Sequence, residues 1–155
     1  MLQSCFEAIK FRAKNTPQLI DWEVKSLQGV FHGHYEFVHM HHTNEDNIVA
    51  PAFAKRFKYP DKLTDDHDGI VKQLEGLNDQ VKALKPGDDT DASMTSILVA
   101  FETYNESMRD HMKEAEDFGL PLMRAYFDPP SYASIIQEIL KTAPKVSCTL
   151  FFVYD

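Results

Sequence analysis

The sequence predicts an all-α protein, an up-down four-helix bundle, and three features carry that prediction. Apolar residues recur at three- and four-residue spacing through each long stretch between proline and glycine breaks. Histidines and carboxylates lie on the same apolar faces, as they do where a bundle holds metal ions. And one stretch is weakly repeated. HHTNEDNIVAP (41–51) laid over HMKEAEDFGLP (111–121) superposes His41 on His111, Asp46 on Glu116 and Pro51 on Pro121, as two halves facing one site would.

Taken in order, residues 2–13 carry Leu2, Cys5, Phe6, Ile9 and Ala13 as a helical stripe. Asn15-Thr16-Pro17 reads as a stop and a restart, with Thr16 as cap and Pro17 at the first helical position. A second helix from Pro17 to Phe57 would be about 60 Å long, so a bend is expected near Gly29 or Gly33. Tyr59-Pro60 ends it. Thr64-Asp65-Asp66 caps a third helix, from about Asp65 to Leu84, through Ile70, Val71, Leu74, Leu77 and Val81. After the turn residues 85–89, a fourth runs from about Ala92 to Gly119. Its stripe includes Met94, Ile97, Phe101, Tyr104, Met108, His111 and Met112. Asp128-Pro129-Pro130 breaks the chain again, and Ser131 is read as the cap of a short helix, Tyr132 to Leu140. The last ten residues, VSCTLFFVYD, read as an extended tail. Residues 1–128 are expected to form the bundle, with 129–155 packed on the same domain.

A chain of 155 residues can bury one sizeable core. Its net charge of −8, with 16 Lys and Arg against 24 Asp and Glu, argues against nucleic acid as a partner, which needs a basic patch. Cys5 and Cys148 lie at opposite ends without CxxC spacing, which excludes a thiolate zinc site and points to reduced thiols in the cytoplasm. No apolar run is long enough to span a bilayer, and the start lacks a signal peptide's layout.

Five of the seven histidines fall between Phe31 and Phe53. On a helix His41 and Glu45 lie about 40° apart and one turn along, which is metal-ligand geometry. His34 lies about 20° off the direction of His41, two turns away, and Val38, Ile48 and Ala52 continue that face. With an ionised carboxylate on an apolar face, either the face is wet or a cation compensates it, and a divalent metal is the economical candidate. His67, and His111 with Glu114 or Glu116, complete the inward-facing set. Imidazole and carboxylate without thiolate suit iron or manganese, with zinc also allowed.

HHTNED followed by Pro51, the DHDG histidine His67 opening a helix, and His111 with an acid five residues on before GLPLM together resemble the hemerythrin-like, or HHE cation-binding, family. The resemblance covers roughly Trp22 to Phe127. It implies two iron ions bridged by two carboxylates, with His41 and Glu45 as second-helix ligands, His67 from the third helix, and His111 with Glu116 from the fourth. A five-residue step turns about 140°, so helix geometry alone favours Glu114 over Glu116; the family's spacing selects Glu116. The family's first-helix histidine has no counterpart before His32, which makes the first helix short or truncated. The second third-helix histidine of oxygen carriers is also replaced, by Val71. His34, His39 or His42 are the residues available to fill a vacancy. The resemblance implies a protein that binds, stores or senses iron or dioxygen. The alternatives are a di-iron enzyme reducing peroxide or dioxygen, with Tyr104 as proton or radical donor, and a metal-free bundle.

Overall fold

The computed structural model describes residues 2–12 and 17–142. The tail expected over 146–155, Cys148 and the Thr16 cap lie outside them. Among the described residues the chain is all helix, joined by short turns, with one isolated bridge between Gln18 and Asp89.

Among the described residues seven α-helices are formed: α1 Leu2–Arg12, α2 Asp21–Asn44, α3 Ala50–Ala54, α4 Lys62–Ala83, α5 Thr90–Glu114, α6 Leu120–Tyr126 and α7 Pro129–Thr142. Two π-helical turns, Glu45–Val49 and Ala115–Gly119, join α2 to α3 and α5 to α6. The long second helix expected from Pro17 therefore starts at Asp21, and Gly29 and Gly33 lie inside its regular part. Its irregularity falls at Glu45–Val49 instead, and proline is the cause. Inside an α-helix the ring of Pro51 would meet the carbonyl four residues earlier, and the residue supplies no N–H to it. The wider turn relieves this, with Ala50 N–H donating five residues back to Glu45 O. Pro121 has the same neighbour, Leu120 N–H donating to Ala115 O.

Caps also differ from the expected ones. Asp89 Oδ1 accepts from Ala92 N at 2.7 Å, starting α5, and Asp128 Oδ1 accepts from Ser131 N at 2.8 Å, starting α7 in place of a Ser131 cap. The Ser131 hydrogen bonds hold the Asp128 carboxyl below its ordinary range.

Two compact units divide the chain. The first comprises Met1–Phe37 and Asp66–Met112. Its core contains Phe6, Leu19, Leu27, Phe31, Ile70, Leu74, Leu77, Met94 and Ile97, and burying a large apolar side chain stabilises by about 1.5–3 kcal/mol. Phe6 meets Phe101 edge-on at 5.7 Å, which ties α1 to α5. Gln28 on α2 donates to the carbonyls that end α4, Val81 at 3.3 Å and Lys82 at 3.2 Å. The 85–89 turn needs Gly87, whose φ of 96° lies in the left-handed region, and its N–H donates to Leu19 O at 2.8 Å.

The second unit comprises residues 38–65 and those from 113 on. Rings gather around the buried Phe53: Tyr59 edge-on at 5.7 Å and Phe127 at 4.8 Å. Arg56 lies over the Phe127 ring at 4.3 Å and donates to Tyr126 O and Ser131 Oγ. α7 packs against the turn Glu45–Val49, and Thr142 Oγ1 donates to the buried Asn44 Oδ1 at 2.8 Å.

The weak repeat in the sequence is structural. At the offset that superposes His41 on His111, both π-helical turns coincide, as do both prolines. The buried pairs Val24 and Met94, Leu27 and Ile97, and Phe31 and Phe101 coincide too. So do His34 and Tyr104, which hydrogen-bond to each other at 2.9 Å.

Candidate metal centre

His67 lies on the first turns of α4 and His111 near the end of α5, each 3% exposed. Both sit in the apolar stripes that bury these helices, His67 one turn before Ile70 and His111 seven residues after Tyr104. Their rings stand edge to face with centroids 4.8 Å apart.

α2 contributes through its last turn. His42 is 2% exposed and follows buried Val38 by four residues, on the same face. Glu45, three residues after His42, is half-buried where the π-helical turn begins. Its Oε1 lies 3.3 Å from His41 Nε2, and the His41 side chain is 46% exposed. That contact orients the Glu45 carboxylate. Tyr59 also stands within the field of Glu45, and burial, with the negative charges of Glu45 and Asp46, pushes its phenol up to about 12.

His42, Glu45, His67 and His111 together offer four ligand atoms that all lie within 4.8 Å of one another. That spacing suits donors arranged around a single ion. Three imidazoles and a carboxylate, with no thiolate, make a set that takes iron, manganese or zinc. One further buried acceptor fits a cation: Glu114 Oε2 has no hydrogen-bond partner among the described residues, although Oε1 of the same carboxylate pairs with Lys62 Nζ.

Of the residues expected as ligands from the sequence, Glu45, His67 and His111 are brought together. His41 is not in the group; its neighbour His42 is. Glu116 lies exposed inside the Ala115–Gly119 turn, as its repeat partner Asp46 lies exposed in the other turn. His39 is exposed as well, while His34 is partly buried and bound to Tyr104. His42 was legible in principle. From Val38 a step of three reaches His41 and a step of four reaches His42, and each stands within one turn of Glu45.

The model of the hemerythrin HHE cation-binding domain matches residues 4–121. With the all-α architecture and the His and Glu cluster, that places the chain in the class of metal-binding helical bundles. The chain belongs to the hemerythrin HHE cation-binding domain family. The match starts within α1, well before the Trp22 at which the resemblance was first legible. No curated protein and no solved structure matches the chain. Among the described residues, no helix is long and apolar enough to cross a membrane.

Proposed function

We propose that the protein is a non-haem iron-binding bundle that binds, stores or senses iron or dioxygen in the cytoplasm. One observation carries this reading: the four ligand atoms of His42, Glu45, His67 and His111 within 4.8 Å of one another. His42, His67 and His111 would hold the ion through neutral imidazole nitrogens, and Glu45 through the carboxylate that His41 orients. Iron held there would supply reversible one-electron chemistry. The surrounding chain keeps bulk water from the imidazoles, all three of which are buried.

Four donors are enough for one ion, which favours one well-built position. A second ion, as the family resemblance implies, would draw on His41 and Glu116, both exposed here. A catalytic reading has its own observation, the buried Tyr104 hydroxyl hydrogen-bonded to His34. Tyr104 stands seven residues before His111, about 10 Å along the helix, which is beyond direct proton transfer to a ligand held there. Binding is therefore the stronger reading.

Metal content decides it. The metal-stripped protein is loaded separately with ferrous iron, zinc and manganese, desalted, and measured for metal per chain. Iron retained at about one equivalent, in preference to manganese, supports the proposal. Two equally tight irons would show that the exposed residues are recruited, and a protein that keeps zinc or manganese but no iron would make iron the wrong ion.

A further inference from the structure

Glu114 closes α5, three residues after His111, so it stands about 60° round the helix and roughly 4.5 Å further along it. Its side chain is only 18% exposed, low for a carboxylate. Oε1 meets the ammonium of Lys62, the first residue of α4, which is 69% exposed. Oε2 is buried and has no hydrogen-bond partner among the described residues. One oxygen is thus anchored at the surface while the other is held out of water with nothing to accept from. A buried carboxylate oxygen in that state is costly, and a cation within its reach removes the cost. Lys62 precedes His67 by five residues on α4, so the ion pair joins the two helices that carry the His67 and His111 pair.

We propose that Glu114 supplies a further ligand oxygen, Oε2, to the metal held by His42, Glu45, His67 and His111, and that Lys62 is a positioning residue that holds the carboxylate for it. This assignment rests on the metal-binding reading above. It gives the chain a second carboxylate from α5 by a three-residue step from His111, in place of the five-residue step to exposed Glu116. Glu114 stands outside the 4.8 Å group, and the three-residue step from His111 keeps its carboxylate on the same side of α5 as that imidazole.

The test is metal affinity, read by competition of ferrous iron or zinc against a chromophoric chelator, for the full chain and its variants. Glu114→Gln weakens binding by at least about 10-fold, while Glu116→Gln leaves it unchanged. Lys62→Met weakens it by about 10-fold, and Lys62→Arg restores it, because orientation by a cation is kept. Melting of the metal-free forms stays at the wild-type temperature, which a merely structural ion pair would not combine with lost affinity. Should Glu114→Gln fail to fold, Glu114→Asp keeps the charge, withdraws the oxygens and carries the same expectation. Wild-type affinity in the Glu114 variants overturns the ligand role, and unchanged or tighter binding in Lys62→Met overturns the positioning role. A wild type that binds no metal overturns the underlying reading instead, so the two failures are distinguishable.

Discussion

The imidazoles of His67 and His111 meet edge to face, ring centroids 4.8 Å apart and planes inclined at 72°, each ring buried on a different helix. Two imidazoles held this close, from two different helices, suit ligation of one cation through their ring nitrogens. Polar groups kept in a core for function commonly cost stability. We therefore expect His111→Leu, close to a volume-conserving change, to lose metal while its metal-free form melts no lower than the wild type. Differential scanning calorimetry of the stripped proteins checks this. A large fall in melting temperature would mean that the histidine is retained for the fold.

His41 and His42 should separate cleanly. His42→Ala removes a buried member of the ligand group, whereas His41→Ala removes only the partner that orients Glu45. Loss of metal retention is expected for the first and a roughly 10- to 100-fold loss of affinity for the second. The reverse order, measured by chelator competition, would return His41 to the ligand set.

How far the sequence led, and where it stopped, follows from helix geometry. Apolar spacing located the long helices, because burial of one face is what fixes them. Glu45, His67 and His111 followed from the same faces. The choice between His41 and His42 did not, since three- and four-residue steps both stay on one side of a helix. Glu114 was favoured by angle alone, and it is the less exposed of the two acids on α5 and its extension. The π-helical turns were foreshadowed only by Pro51 and Pro121, and reading those prolines as obstacles to the carbonyl four residues back would have located both. The α7 cap lies three residues from its expected place because the Asp128 carboxylate, not the Ser131 hydroxyl, accepts the free N–H of the first turn.

Stability should depend on pH through His34. Burial lowers its pKa from 6.5, and its Nε2 pairs with the Tyr104 hydroxyl, whose own proton burial holds beyond the ordinary tyrosine range. Well above pH 6.5 neither the folded nor the unfolded state protonates this histidine, so its contribution is complete. As pH falls below 6.5 the unfolded state takes the proton first, and stability falls until the folded-state value is passed. Urea midpoints at about pH 7.5 and 5 are expected to drop less in His34→Gln than in the wild type. An equal drop would show that His34 titrates normally in the fold.

Arg56 is expected to hold the 126–131 segment. It donates to Tyr126 O at 2.7 Å and Ser131 Oγ at 2.9 Å and lies over the Phe127 ring. Two hydrogen bonds and an exposed cation–π contact together stabilise by about 1–2 kcal/mol. Arg56→Lys should lose most of this, because one ammonium nitrogen does not span the two acceptors that Nη1 and Nη2 reach, and it has no planar group to lay on the ring. Chemical denaturation of the variant measures the loss.

On the proposed reading, His42, Glu45, His67 and His111 bind one ion in the folded state. A ligand that binds only the native form stabilises it by about 2.7 kcal/mol at a hundredfold excess over its dissociation constant. Thermal melts of the metal-stripped protein, with and without ferrous iron under anaerobic conditions, read this directly. The expected result is a melting temperature that rises with iron in the wild type and does not move in the His67→Ala/His111→Ala double variant. A wild type indifferent to iron, or a double variant that shifts as much as the wild type, would contradict it.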